Sequence, residues 1–324
     1  MEFRRGKGMR LDLDQTANSP GPYTTSFGFD LDVLCGSIRK VGLINPPLVA
    51  RNPEGAFDIV AGYRRILALK ALGERETFSY DVTVALASPL ERLLAGFYEN
   101  LATRKFNDIE KAMILSKLQG YRTKEEILTS FMPSLSLPSH EGTLKFYLKL
   151  LDLEGNVQRA IAREEISIKV AKALVEMEKG ARQVVSHWIG LLKINFNQQI
   201  KFIEYMQDIT TKEVTTIPKI LSEKCILEIV GNPRLNTPQK AKLVLETLRV
   251  RLSPRLAQAQ KAVEIAVSAI PMPPEASIHY DPYLEHPHYR LDISFTHGKD
   301  LKRTISKLHA LRELETIPEL WPDR

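Results

Sequence analysis

The chain has 324 residues and a net charge of +6; 44% of the residues are hydrophobic, 26% are charged, and there are 17 glycines, 19 prolines and 2 cysteines. This composition excludes a collagen-like chain, a disulfide scaffold and a low-complexity disordered chain, and the length predicts two or three domains. Cys35 and Cys225 lie far apart and fit no zinc-binding spacing, which is typical of a protein in a reducing compartment. No apolar run approaches the roughly 20 residues that span a bilayer. We therefore expect a cytoplasmic protein with no membrane contact.

The first third of the sequence predicts an arm followed by an α/β domain. Residues 1–28 are rich in glycine, proline, serine and asparagine and show no sustained periodicity, which predicts an N-terminal arm without regular structure. Residues 29–106 combine short apolar strands with amphipathic helices, as an α/β domain does. Helices are expected at 30–41, 62–72 and 89–101, and strands at 47–51, 57–61 and 80–86.

Residues 107–232 have a helical pattern throughout. Asn107 with Glu110, and Thr123 with Glu126, have the spacing of a capping box, in which the first side chain accepts a bond from the third amide and the acid reaches back. We therefore predict an all-α middle domain. Its later helices are expected at 140–153, 155–164, 168–178, 181–193 and 197–210.

A helix-turn-helix is predicted within this middle domain. Its first helix runs from Thr123 to about Met132, and its recognition helix, from His140 to Leu153, is capped by Ser139. A recognition helix contacts bases with its N-terminal residues and phosphates with its flanks. The side chains expected to contact DNA are His140, Thr143, Lys145 and Lys149, and those expected to face inward are Leu144, Leu148 and Leu151.

Residues 238–324 predict a small helix–strand–strand–helix domain. A basic helix with an apolar seam begins at Pro238, and Ser253-Pro254 restarts or kinks it. Strands at 276–280 and 288–295 and a helix from about 298 to 314 follow. Because a two-stranded hairpin is marginal alone in water, we expect its apolar face to pair with a second copy of the chain. The alternative is that it docks on the 181–230 helices.

Two further features of this region have a functional and a structural interpretation. The stretch 234–261 is strongly basic and contains one acid, Glu246, so it either attracts phosphate backbones or forms a solvated helix face. His279, His286 and His288 cluster around the hairpin. A polar hairpin tip explains these histidines more simply than a metal site does.

Two short motifs offer binding chemistry. Gly62-Tyr63-Arg64-Arg65 stands where a strand turns into a helix. A glycine there lets backbone amides approach an anion at the helix N-terminus, and the two arginines offer bidentate phosphate contacts. Glu99-Asn100 offers oxygen ligands of the kind that Mg²⁺ uses together with substrate phosphates. Each motif alone is equally typical of a polar helix surface.

Together, in this order and spacing, the motifs resemble the ParB partition-protein family. The resemblance covers residues 30–180 through individual residues and residues 238–315 through the pattern of elements, which is similar to the family's dimerisation domain. The matching segments are GLINPPLVAR at 42–51, FDIVAGYRR at 57–65, ENL at 99–101, NDIEKA at 107–112, LKLLDL at 148–153 and AIAREEIS at 160–167.

The resemblance implies an α+β multidomain fold: a ParB/sulfiredoxin-like α/β domain at 29–106, the helix-turn-helix domain at 107–232 and a dimerisation domain at 238–324. It implies a homodimer that binds a centromere-like DNA site in plasmid or chromosome partition, clamps around DNA with CTP, and works with a partition ATPase. No catalytic residue is assigned. The residues implied to bind nucleotide are Gly62, Arg64, Arg65, Glu99, Asn100 and Arg104, with Glu99 and Asn100 holding Mg²⁺ through the nucleotide.

Departures from the family pattern keep alternatives open. Tyr63 stands where the family usually has Glu, Leu67 where a third Arg is common, and Thr103 where an Arg usually follows Glu-Asn, with Arg104 one position later. CTP hydrolysis is therefore left open, and a DNA-bound regulator or scaffold with a degenerate nucleotide pocket is the first alternative. A nuclease or phosphotransfer enzyme with the same N-terminal fold is the second. The placement of Cys35 upstream of the Gly62 motif disfavours the phosphotransfer enzyme.

Overall fold

The computed structural model describes residues 6–281 and 288–319. The chain divides into two compact units at the boundary between Ile200 and Lys201. The first unit contains a four-stranded sheet with its helices, followed by a series of helices, and the second contains helices and a two-stranded sheet. Within the described residues, no helix has the length and apolar character that a membrane span requires.

A mixed sheet and three helices form the beginning of the first unit. The strands are β1 (Lys7–Asp12), β2 (Leu48–Arg51), β3 (Phe57–Ala61) and β4 (Glu76–Asp81), and the helices are α1 (Asp32–Val41), α2 (Tyr63–Ala71) and α3 (Pro89–Thr103). The strand order is β1-β4-β2-β3; β2 and β4 are parallel, and the other two pairs are antiparallel. α2 covers the core formed by the sheet, and α3 packs against β3.

The prediction of an N-terminal arm without regular structure at 1–28 is wrong for residues 7–15. Lys7–Asp12 form the edge strand β1, paired along its length with β4. Leu11 and Leu13 are fully buried in the core. The local sequence could not indicate this strand because it forms only against a partner far along the chain. Residues 21–27, here called the strap, have no regular structure, but their section 23–26 is also buried.

The strand predicted at 80–86 is also misplaced. β4 ends at Asp81, whose carboxylate accepts hydrogen bonds from the backbone N–H and the hydroxyl of Thr83. This side-chain turn ends the strand, and Val84 beyond it is 92% exposed. The two alternating valines therefore belong to a turn, in which Val82 is buried and Val84 is exposed.

The helical part of the first unit follows the predicted pattern. Both capping boxes are confirmed, at Asn107 with Glu110 and at Thr123 with Glu126. The helix that begins at Lys124 passes through a π-helical turn at Ile127–Phe131 before it ends. The helices are α4 (Asp108–Leu118), α5 (Lys124–Glu126), α6 (Met132–Ser134), α7 (Glu141–Lys149), α8 (Gly155–Ala162), α9 (Ile168–Glu176) and α10 (Lys179–Leu192); α11 (Phe196–Glu213) crosses the boundary between the units.

Three details of the predicted recognition helix are wrong. α7 is capped by His140, whose Nδ1 accepts a hydrogen bond from the Gly142 N–H at 3.0 Å, and not by Ser139. Leu144 is buried as predicted, but Leu148 and Leu151 are only half-buried. The helix begins one residue later than predicted and ends at Lys149 rather than Leu153, because a 3-10 turn follows at Leu150–Asp152. Tyr147 and Leu150 complete the buried face.

The second unit contains the predicted hairpin and helix restart. Its helices are α12 (Ile217–Leu221), α13 (Lys224–Gly231), α14 (Thr237–Leu252), α15 (Pro254–Ser268) and α16 (Gly298–His309), and its strands are β5 (Ala276–Tyr280) and β6 (Tyr289–Ile293). Ser253 separates α14 from α15, as predicted. His286 of the histidine cluster lies outside the described residues. Within the basic stretch, Arg249 pairs with Glu246, and Arg251 pairs with two glutamates.

Candidate phosphate-binding cavity

The cavity of interest begins at the junction of β3 and α2. Gly62 precedes α2 with φ +91°, in the left-handed region that favours glycine, and a side chain there would collide with the Arg65 guanidinium. No side chain caps α2, and no acidic residue lies in its first turn. The first-turn amides of α2 therefore carry uncompensated positive potential.

Arginine side chains surround this helix end and contact two carboxylates. Arg65 Nη2 lies 2.6 Å from Glu99 Oε1 on α3, and its Nη1 donates to the Asn45 carbonyl oxygen at 2.8 Å. Arg64 Nη2 lies 2.6 Å from Oε1 of Glu110, which belongs to α4. These ion pairs to α3 and α4 thus fix both guanidinium groups next to the helix N-terminus.

Glu110 is the shared partner of two arginines and two backbone amides. Its side chain is 1% exposed, and its second oxygen lies 2.6 Å from Arg104 Nη1. It also accepts hydrogen bonds from the backbone N–H groups of Phe27 in the strap and Asn107. Two guanidinium groups and two amides therefore satisfy one fully buried carboxylate, as a buried charge requires.

The strap forms the opposite wall. The cavity has a volume of about 260 Å³, and Thr24, Thr25 and Ser26 contribute to its lining. The Ser26 hydroxyl accepts a hydrogen bond from Arg104 Nη2 at 3.3 Å. All six residues predicted to bind nucleotide line this one cavity: Gly62, Arg64, Arg65, Glu99, Asn100 and Arg104.

The electrostatics of the cavity favour an anion. Three arginines and one carboxylate, Glu99, are among its lining residues. Burial, followed by repulsion from Arg104, lowers the pKa of Arg64, and Glu110 only partly offsets these effects. Arg64 Nε is buried without a hydrogen-bond partner. A phosphate oxygen in the cavity would reduce the repulsion and supply an acceptor.

The two residues predicted to hold Mg²⁺ differ in what they can offer. Asn100 Oδ1 accepts a hydrogen bond from Arg104 Nε at 2.9 Å, and its Nδ2 donates to the Gly96 carbonyl oxygen at 2.7 Å. Both polar atoms of Asn100 are therefore engaged within the protein. Glu99 uses Oε1 for Arg65, and its half-buried side chain retains Oε2 as a ligand oxygen.

Three of the residues predicted to contact DNA lie on α7 and the fourth, His140, caps it; the two lysines form ion pairs. Lys145 Nζ lies 2.9 Å from Glu141, which also pairs with Lys124 at 3.0 Å. The hydrogen bonds from Lys145 and Lys124 lower the pKa of Glu141 to about 2. Lys149 lies 2.9 Å from Glu176 on α9. Each pair is exposed, so the lysines remain accessible to another anion.

His140 and Thr143 have different surroundings from these lysines. Both line a groove of about 550 Å³ beside α9. Phe146 and Lys172 also line it, and Lys172 Nζ lies 5.5 Å from the centre of the Phe146 ring. The aromatic ring is thus covered by a neighbouring helix.

Sequence reasoning missed the second role of Glu110 and the part played by the strap. Glu110 was identified as a capping residue only, and the capping box does use it. A glutamate that is also the shared partner of two distant arginines has no local signal. The polar run Thr24-Thr25-Ser26 gave no helix or strand pattern, and its burial depends on α4 and β3.

Comparisons with known proteins agree with the N-terminal motifs. Residues 11–101 match the family model of the ParB N-terminal domain. The chain is 29% identical over 213 residues to the probable chromosome-partitioning protein ParB of Campylobacter jejuni, covering 64% of this chain and 72% of that protein. It is 25% identical over 270 residues to the probable chromosome-partitioning protein ParB of Vibrio cholerae, covering 82% and 80%.

A solved structure was also matched. It is the C-terminally truncated chromosome-partitioning protein ParB of Caulobacter crescentus complexed with CTP-gamma-S, with 24% sequence identity, a TM-score of 0.27, and coverage of 57% of this chain and 99% of that one. The family model and the two sequence relatives agree with the resemblance based on the Gly62 and Glu99 motifs. Residues 11–101 are thus a ParB N-terminal domain, and the chain is similar to chromosome-partitioning ParB proteins over most of its length.

Proposed function

We propose that this chain is a DNA-binding partition protein whose N-terminal cavity binds the phosphates of a nucleoside triphosphate, CTP by family resemblance. The observation that carries the proposal is the convergence of Arg64, Arg65 and Arg104 on the uncapped N-terminus of α2. The alignments with the two relatives described as chromosome-partitioning proteins cover 72% and 80% of those proteins. Partition places such a protein on the nucleoid or on a plasmid in the cytoplasm.

The phosphate chain would enter the cavity along the first turn of α2. The backbone amides after Gly62 would bind one phosphate, and the arginines would form charge-assisted hydrogen bonds with the others. Arg65 must then share or exchange its contact with Glu99. A Mg²⁺ ion brought by the nucleotide would take Glu99 Oε2 as a protein ligand and phosphate oxygens as further ligands.

DNA binding would use the helix-turn-helix of residues 123–153. Lys145 and Lys149 would exchange their exposed carboxylate partners for backbone phosphates, and the N-terminal residues His140 and Thr143 would approach the bases. Exchange of an exposed ion pair costs little because water already screens it. The target would be a centromere-like site.

The second unit would supply a dimer interface. In β6, α16 and the segment between them, three large apolar side chains are about half exposed: Leu291, Phe295 and Ile305. Pairing with a second copy would cover them. Light scattering tests this: the full chain is expected to be a dimer, and a chain truncated near Ser268 a monomer. A dimeric truncated chain would place the interface elsewhere.

A scaffold with a degenerate pocket is the second candidate, favoured by Tyr63. The Tyr63 hydroxyl donates to the Asn18 carbonyl oxygen at 2.6 Å, so a tyrosine connects α2 to the N-terminal segment where the family usually has a glutamate. The phosphotransfer alternative gains no support, because Cys35 lies against α2, with Sγ 3.8 Å from the Ala68 carbonyl oxygen. The nuclease alternative gains none either, because Glu99 is the one carboxylate among the described lining residues.

Retention on DNA separates the two candidates. The full chain is loaded onto immobilised duplex DNA carrying its site, with and without CTP and Mg²⁺, and its dissociation rate in high salt is measured. A CTP-responsive clamp predicts slower dissociation with CTP in the wild type and no CTP response in Arg65→Ala. The exposed Arg10, which pairs with Glu76 on the sheet, provides the control Arg10→Ala, which should respond as the wild type does. A wild type that ignores CTP supports the scaffold.

A further inference from the structure

Lys117 contacts the strap from near the C-terminal end of α4, outside the cavity lining. Its Nζ donates hydrogen bonds to the carbonyl oxygens of Gly21, Pro22 and Thr24, at 2.9, 2.8 and 2.7 Å. An ammonium group has three N–H donors, so these carbonyls use all of them. One side chain thus holds one turn of the backbone.

The ammonium of Lys117 stabilises this turn. The three carbonyl oxygens converge where the chain reverses, and the Thr24 N–H donates to the Gly21 carbonyl oxygen at 3.3 Å. Like partial charges directed at one point repel unless a cation lies between them. The Lys117 side chain is half-buried, and this burial lowers its pKa to about 8. The contact is therefore a specific restraint and not a solvated surface charge.

The residues that follow this turn form the wall of the cavity. Thr24, Thr25 and Ser26 are 5%, 5% and 6% exposed and line the cavity. Just beyond them, the Phe27 backbone N–H donates to Glu110, and its carbonyl oxygen accepts from Asn107 Nδ2. The strap is therefore held at both ends by α4: by Lys117 before the wall, and by Asn107 and Glu110 after it.

We propose that Lys117 is a positioning residue for the nucleotide site, because it fixes the start of the strap and so keeps Thr24, Thr25 and Ser26 in place against the bound phosphates. This inference rests on the proposed function of the cavity. A strap that is fixed at one end only would form the wall for part of the time. The apparent affinity for nucleotide falls by the fraction of molecules in the competent arrangement.

Lys70 offers a matched comparison. It lies on α2 and also holds the N-terminal segment, since its Nζ donates to the Thr16 carbonyl oxygen at 2.7 Å and to Asn18 Oδ1 at 2.8 Å. Burial lowers its pKa as well. Thr16 and Asn18 are not among the described residues that line the cavity. Lys70→Met therefore removes a similar anchor without loosening the wall.

The experiment compares Lys117→Met, Lys117→Arg and Lys70→Met in the full chain. CTP with Mg²⁺ is titrated by calorimetry, and amide hydrogen exchange of residues 23–27 is followed without nucleotide. Lys117→Met is expected to bind about tenfold more weakly and to exchange faster in the strap. Lys117→Arg keeps the charge and several donors, so it is expected to recover binding to within about threefold. If Lys117→Met does not fold, Lys117→Gln replaces it.

The outcomes separate this inference from the proposed function. Binding by the wild type that is unchanged in Lys117→Met overturns the inference and leaves the proposed function standing. An equal loss in Lys70→Met means a general loss of structure and also overturns the positioning role. A wild type that binds no nucleotide overturns the proposed function, and this inference with it.

Discussion

The cavity and the α7 surface both place basic side chains beside carboxylates, but they differ in burial. Beside the cavity, Arg64 and Arg104 both pair with Glu110, whose side chain is 1% exposed. On α7, the side chains of Lys145 and Lys149 are 70% and 53% exposed, and the carboxylates with which they pair are exposed as well. The buried pairs hold guanidinium groups in one geometry before any ligand arrives, whereas the exposed pairs exchange at little cost. Under the proposed function, the chain would combine a preorganised phosphate site with an adaptable DNA-facing surface.

Removal of Glu110 should produce the largest effect on stability. Glu110→Ala removes the shared acceptor of two partly buried guanidinium groups and two backbone N–H groups, and we expect the free energy of unfolding to fall by about 3–5 kcal/mol. Urea denaturation measures this change. Glu76→Ala, which breaks the exposed pair with Arg10, is the control and should cost less than about 1 kcal/mol. Equal losses in the two variants would remove the distinction between buried and exposed pairs.

Alanine substitutions at Gly62 and Gly73 distinguish the effect of backbone strain from the effect of displacing the Arg65 side chain. Gly62 and Gly73 both have positive φ, +91° and +81°, but an added Cβ meets the Arg65 guanidinium at Gly62 and open space at Gly73. Each substitution by alanine should cost about 1–2 kcal/mol in unfolding free energy because of the left-handed backbone. Gly62→Ala alone should also weaken nucleotide binding, as calorimetry can show. A similar affinity in both variants would mean that the position of Arg65 does not matter.

The contrast between these regions also explains which parts of the structure the sequence could predict. Helix starts carry local signals, so both capping boxes and the Gly62 turn were predicted correctly. β1 was missed because its burial depends on pairing with β4, and the strap because it is held by α4 and β3. The six predicted cavity residues meet in space, but the shared role of Glu110 is a tertiary property. Contacts between residues far apart in the chain produce no local pattern in the sequence, so they could not be predicted from it.

Substitution of the α7 lysines should produce the smallest change in stability and a distinct change in DNA binding. Lys145→Ala and Lys149→Ala should each alter the free energy of unfolding by less than about 1 kcal/mol, because the pairs are exposed. If each lysine contacts a phosphate, its loss should lower the slope of log K against log salt by about one unit. Fluorescence anisotropy with labelled duplex DNA over a salt series measures the slope. Unchanged slope and affinity in both variants would reject α7 as the DNA-contacting helix.

The proposed phosphate site is tested most directly by calorimetric titration of the full chain with CTP, ATP, GTP and UTP in the presence of Mg²⁺, with and without DNA. Saturable binding of CTP is expected, with one nucleotide per chain. Arg65→Ala should weaken it by at least about tenfold, because one charge-assisted pair with phosphate contributes on the order of 1.5–3 kcal/mol. Arg10→Ala should bind as the wild type does. No binding of any nucleotide by the wild type, with or without DNA, would contradict the assignment of the cavity.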